Sequence, residues 1–143
     1  MNQKTAADYS TITPKIRELA QLSLDNSNID KELYTKYHVY RGLRDLDGNG
    51  VLTGLTEISD IISSKMQDGH KVSCEGELYY RGISIQDIVK GFISEKRYGF
   101  EEVTYLLLFG NLPTRDQLQE FCDLLAYYRT LPTGFVRDII MKA

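Results

Sequence analysis

The chain is poor in the side chains that most often hold metals or act as nucleophiles: its 143 residues include two cysteines and two histidines. Cys74 and Cys122 are too few and too far apart for a disulfide framework. They fit a reducing compartment, where Cys serves as a small apolar side chain. No Cys/His cluster has metal-ligand spacing. Neither a Gly-x-Ser-x-Gly elbow nor a phosphate-cradling glycine loop occurs. There is no lysine/arginine cluster, charges of both signs are interspersed, and the net charge is −3. The electrostatic footprint of a nucleic-acid binder is therefore missing. No apolar run approaches the ~20 residues of a membrane span, and the opening MNQKTAADYS lacks the apolar core of a signal peptide. These absences predict a cytoplasmic protein with neither nucleic acid nor membrane as partner.

What remains is ordinary for a globular domain, with 42% hydrophobic and 26% charged residues. A chain of this length buries roughly two-thirds of its unfolded surface. Residues 1–10 are polar and expected to be disordered. Thr13-Pro14 then reads as an N-cap followed by proline in the first helical turn. Ile16, Leu19 and Ala20 follow at helical spacing until DNSN, residues 25–28, breaks the helix. Asp30 caps a short second helix through Leu33 and Tyr37.

Between Arg41 and Arg81, glycines and β-branched residues replace helical periodicity. Val72/Cys74 and Leu78/Tyr80 alternate as strand residues do, and Asp68-Gly69 is a tight-turn dipeptide. Short strands and turns are expected here, with a helical turn near Ile58–Ser63. After Gly82 the pattern is helical. Ser84 and Asp87 resemble a capping box, and Ile85, Ile88, Val89, Phe92 and Ile93 form one stripe. Glu101-Glu102 suit the positive end of a helix dipole. VTYLLLF, residues 103–109, is apolar on nearly every face and predicts burial on several sides. Gly110 is the expected residue past that helix's end, with Pro113 beyond it. Thr114 and Gln117 make a further capping box, backed by Leu118, Phe121, Cys122 and Leu125. Pro132-Thr133 punctuates again. Phe135, Val136, Ile139 and Ile140 then begin a helix with no capping residue at its end, which raises the expectation of an incomplete domain.

Within YRGLRDLDGNGVLTGLTE, residues 40–57, Asp45, Asp47, Asn49 and Gly50 stand at the alternating spacing that opens a calcium-binding EF-hand. That loop needs a bidentate carboxylate at its twelfth position. Counted from Asp45, the twelfth residue is Thr56, and Glu57 arrives one residue late. The flanks Arg41-Gly42-Leu43-Arg44 and Gly54 are poor helix. The stretch is read as a turn into a strand.

Three segments carry a stronger signal: GVLTGLTEIS, then CEGELYYRGISIQDIV, then YGFEEVTYLLLFGNLPTRDQLQEF. In order and content they resemble the N-terminal part of citrate synthases of the bacterial type, from about Tyr40 to Ala143. One departure is the longer connection SSKMQDGHKVSCEGE, residues 63–77, where many family members have a short Asp-Gly turn. The resemblance implies a mainly α fold, with 1–143 forming a helical N-terminal part of the large domain and a small β-hairpin region near 50–80. It implies an acyltransferase of the tricarboxylic acid cycle, homodimeric, that joins acetyl-CoA and oxaloacetate into citrate and free CoA. No metal or redox cofactor is expected. In the family an Asp removes the methyl proton of the thioester, one His polarises the thioester carbonyl, a second polarises the ketone, and arginines clamp oxaloacetate. A thioester α-proton is weakly acidic, so base and electrophile must act together.

None of those family residues maps onto a position of this chain, so no catalytic, cofactor-binding or metal-binding residue is assigned. His38 in YTKYHVY reads as a histidine at a helix end, and His70 as a solvated turn residue. Arg81 in LYYRG could clamp a carboxylate or pin a strand end to a carboxylate or to helix carbonyls, and the second role is favoured. Tyr79, Tyr80, Tyr105, Tyr127 and Tyr128 are read as core and interface aromatics, and Cys122 as a core residue. The expectation is a truncated segment that is inactive by itself. The alternatives are a 2-methylcitrate synthase using propionyl-CoA, and a non-catalytic helical interaction module.

Overall fold

The computed structural model describes residues 10–40, 44, 51, 53–131, 134–135, 138–139 and 141–142. Residues 1–9, the Asp45, Asp47, Asn49 and Gly50 of the calcium-like loop, Pro132-Thr133, and Val136 and Ile140 of the last expected helix lie outside them. Among the described residues, eight elements follow one another. Helices α1 (Pro14–Asp25) and α2 (Lys31–Lys36) come first. Strands β1 (Ser59–Gln67), β2 (His70–Tyr80) and β3 (Ile83–Ser84) follow, and then helices α3 (Ile85–Ser94), α4 (Phe100–Phe109) and α5 (Arg115–Tyr128).

Local chemistry sets most of the helix ends. The Thr13 hydroxyl accepts from the Ile16 backbone N–H at 3.3 Å, with Pro14 in the first turn. Asp30 caps α2 through the Glu32 N–H at 2.9 Å. The Thr114/Gln117 box is complete in both directions, at 3.3 and 2.9 Å. At α3 the Ser84 hydroxyl accepts from the Gln86 N–H instead of reaching Asp87. The Asp87 carboxylate lies 3.7 Å from Lys90, so the expected reciprocal box does not form.

The fold class needs correction. The small hairpin of short strands expected near 50–80 is a three-stranded antiparallel sheet in the order β1-β2-β3, with strands of nine, eleven and two residues. The expected helical turn near Ile58–Ser63 is the start of β1. Two tight turns produce this result. Asp68 and Gly69, at φ 51° and 79°, and Arg81 and Gly82, at φ 47° and 79°, each place two successive residues in the left-handed region. Two-residue loops of that geometry match the twist of antiparallel strands and lock their register. Ser59 stands opposite Tyr80, and Gln67 opposite His70. Between them the register shifts: β1 advances from Ile62 to Ser64 while β2 runs from Glu77 to Ser73. Gly76 lies inside that bulged stretch, where a missing side chain eases the bend.

The core sits on one side of α4. Tyr105, Phe109 and Phe121 cluster there, with Leu19 and Leu22 of α1 and Leu125 of α5 packed around them. The three rings meet edge to face, at centroid separations of 4.5, 5.5 and 5.8 Å. Such pairs contribute about 0.5–1.5 kcal/mol each beyond the area they bury. Leu106 is fully buried. The opposite side of α4 is uncovered: Leu108, within the apolar run 103–109, is 46% exposed, and Phe100, ahead of that run, is 71% exposed. On α3, Ile88 is buried but Ile93, in the same sequence stripe, is 63% exposed.

Candidate functional site

Arg81 ties the sheet to the helices. The left-handed turn Arg81-Gly82 joins β2 to β3 and aims the guanidinium across the molecule. Its Nη1 donates to the Asn26 carbonyl at 3.1 Å and its Nη2 to the Leu107 carbonyl at 3.0 Å. Asn26 is the C-cap of α1, and Leu107 lies in the last turn of α4. Both carbonyls belong to the negative ends of helix dipoles, where a fixed cation is favourable. Of the two roles open to Arg81 from sequence, the geometry is that of a pin onto helix carbonyls. Its backbone N–H also donates to the Ile58 carbonyl at 2.9 Å, fixing the chain just before β1. The Nε is sealed from solvent and has no hydrogen-bond partner among the described residues.

Two clefts flank this arginine. One, of 190 Å³, is lined by Asn26, Ser27, Ile29, Leu55, Thr56, Glu57, Ile58 and Arg81. The other, of 280 Å³, is lined by Asp25, Asn26, Asn28, Glu57, Arg81 and Gly110. Gly110 caps α4 at φ 85°, and an added Cβ there would meet the Asn26 Oδ1 at 2.6 Å. The C-terminal ends of α1 and α4 therefore touch, with Arg81 bonded to both.

A larger groove of 630 Å³ runs beside the start of α5, between Glu95, Arg97 and Glu102 on one side and Thr114, Leu118 and Cys122 on the other. Arg97 forms an ion pair with Glu102 and reaches Glu95 at 2.8 Å. Burial first, with the nearby Glu101 and Asp123 charges, pushes the Cys122 thiol up, so it is a poor nucleophile at neutral pH. The Arg129 guanidinium, 2.7 Å from Glu101, holds that carboxyl below the usual range. On the sheet, Lys65 and the Tyr79 hydroxyl both donate to the Glu77 carboxylate, at 2.6 and 3.0 Å. Those bonds lower the Glu77 carboxyl and raise the Tyr79 phenol.

The two histidines stand apart from all of this. His38 is exposed just past α2 at φ 50°, and His70 is exposed at the start of β2. Neither bonds a described carboxylate. Among the described residues no group of three or more His, Cys, Asp or Glu could hold a metal. Of the tyrosines singled out in the sequence, Tyr105 belongs to the core and Tyr127 is exposed. Sequence reasoning missed the Arg129–Glu101 pair and the contact between Asn26 and Gly110. Twenty-eight and eighty-four residues separate these partners, and no local pattern links them.

Comparison with known proteins identifies the class. A family model described as citrate synthase, C-terminal domain, matches residues 45–143. The chain belongs to the citrate synthase family. The expected assignment to an N-terminal segment is corrected by that match, whose description is of the C-terminal domain. Among its relatives, 2-methylcitrate synthase 1 of Corynebacterium glutamicum is 35% identical over 88 residues, 62% of this chain and 19% of the relative. The citrate synthase of the same organism is 36% identical over 96 residues, 66% of this chain and 18% of the relative. That of Haloferax volcanii is 41% identical over 59 residues, 41% of this chain and 14% of the relative. The matched part thus spans less than a fifth of the length of these curated relatives. No solved structure matches. Among the described residues no helix is long and apolar enough to cross a membrane.

Proposed function

We propose that this chain is part of a condensing enzyme of the citrate synthase type, which joins acetyl-CoA to oxaloacetate and releases citrate and CoA. The family match across residues 45–143 carries this reading. In it the methyl carbon of acetyl-CoA loses a proton to a carboxylate base and adds to the ketone carbon of oxaloacetate. Water then cleaves the thioester. The enzyme acts as a homodimer without metal or redox cofactor. By itself the 143-residue chain does not turn over. Both described histidines are exposed and unpaired with any described carboxylate, and the Nη atoms of Arg81 are taken by helix carbonyls. Neither these histidines nor Arg81 is therefore placed as the base or electrophile that one thioester needs.

The test is thiol release from acetyl-CoA and from propionyl-CoA in the presence of oxaloacetate. The 143-residue chain is expected to release none with either, and turnover by it would overturn the claim of inactivity. A second reading, a 2-methylcitrate synthase using propionyl-CoA, is favoured by the two 2-methylcitrate synthases of Corynebacterium glutamicum, at 35% and 33% identity. Relative rates with the two acyl-CoAs, measured on an enzyme containing this segment, separate them. Faster thiol release with acetyl-CoA supports the first reading and faster release with propionyl-CoA the second.

A further inference from the structure

We infer that Glu57 is a latch for Arg81, its carboxylate closing over the buried Nε and locking the entrance of β1 onto the C-terminal ends of α1 and α4. Three observations converge on this residue. The Nε of Arg81 is sealed from solvent with no partner among the described residues, while both Nη atoms are engaged on carbonyls. A buried donor left unsatisfied is strongly unfavourable, more so on a charged group, so an acceptor is called for. Glu57 lines both clefts that flank Arg81, and its carboxylate bonds no other described residue. The main chain already holds it in range, because the Arg81 N–H is bonded to the Ile58 carbonyl one residue away. The competing carboxylate in the second cleft, Asp25, accepts from the Gln21 amide at 2.7 Å. Asn26, Asn28, Ser27 and Thr56 complete the polar lining and carry no charge.

In the closed arrangement one carboxylate oxygen accepts from Nε, a charge-assisted bond of the stronger kind. The guanidinium then joins three segments: the end of α1, the end of α4 and the approach to β1. This is a structural device, independent of the reading of the whole enzyme.

The test is a double-mutant cycle in urea on the 143-residue chain, with E57A, E57Q, R81K and E57A/R81K. E57A is expected to lower the folding equilibrium constant about tenfold with Arg81 present and less than about twofold in the R81K background. E57Q should fall between wild type and E57A, since its amide oxygen still accepts without charge. E75A, at an exposed strand carboxylate with no described partner, should change it less than about twofold. Should R81K leave no folded population, the readout is the Arg81 Nε–H resonance in wild type and E57A. A large shift between the two supports the latch, and coincident resonances overturn it. Equal effects of E57A in both backgrounds overturn it too, assigning the Nε to a water. So does a tenfold, Arg81-dependent loss in D25N without one in E57A.

Discussion

Replacing Gly110 with alanine probes the junction of α1 and α4 at one atom. Gly110 sits at φ 85°, where an L side chain is strained by about 1 kcal/mol. Its new Cβ would lie 2.6 Å from the Asn26 Oδ1 and 3.0 Å from the Asn26 Cγ. The amide of Asn26 has to turn away, and in turning it gives up the bond from its Nδ2 to the Leu22 carbonyl at 2.9 Å. A lost side-chain hydrogen bond of that kind contributes about 1 kcal/mol. The sum is about 2 kcal/mol, a large share of the ~5–15 kcal/mol that holds a domain together. At this chain length it lowers Tm by roughly 6–8 °C. The measurement is urea unfolding of wild type, G110A, N26A and the double variant. In the N26A background the obstructing amide is gone, so G110A there should retain only the ~1 kcal/mol of backbone strain. Equal losses from G110A in both backgrounds, or a loss below about 1 kcal/mol in the wild-type background, would refute the argument that the two helix ends touch as described.

Two further outcomes rest on single contacts. T114A removes one half of the complete capping box of α5 and should lower stability by about 0.5–2 kcal/mol, read by urea midpoint. R129Q should raise the Glu101 titration midpoint toward the usual ~4.3, followed by carboxyl NMR. The sign follows from linkage. The Glu101 carboxyl is depressed in the folded state, so its contribution is present above the unfolded value and fades as pH falls through the folded one. With Arg129 60% exposed, that contribution is less than about 1 kcal/mol, and wild type and R129Q should converge in stability at acid pH.

The helix boundaries were legible because the signals are local. Thr13-Pro14, Asp30, the Thr114/Gln117 pair and Gly110 each act within a turn of the helix end they define. The sheet was only half legible. Asp68-Gly69 announced the turn, but the length of β1 depends on pairing with residues up to twenty-one positions away, from Ser59 to Tyr80. Ile58–Ser63 has apolar residues at spacings that also suit a helical turn, and pairing decided between the two. The apolar run of α4 was readable as burial, yet sequence could not say that Phe100 and Leu108 would stay uncovered. For the site, family likeness was written in three motifs, while the Arg81 pin and the Arg129–Glu101 pair depend on tertiary distance alone.

The hairpin of β1 and β2 has β2 as the principal neighbour of β1, and at its base Tyr79 and Tyr80 pair with β3 while Arg81 bonds to the ends of α1 and α4. Its far end, from Ser64 to Ser73 beyond the register shift, is held by strand pairing and is mostly exposed. Amide protons there should exchange through local fraying, at a lower free energy than those of α4 and α5. The molecule thus opens in stages, and an endoprotease cutting at Asp68-Gly69 would clip the ribbon while leaving the three-ring aromatic cluster assembled.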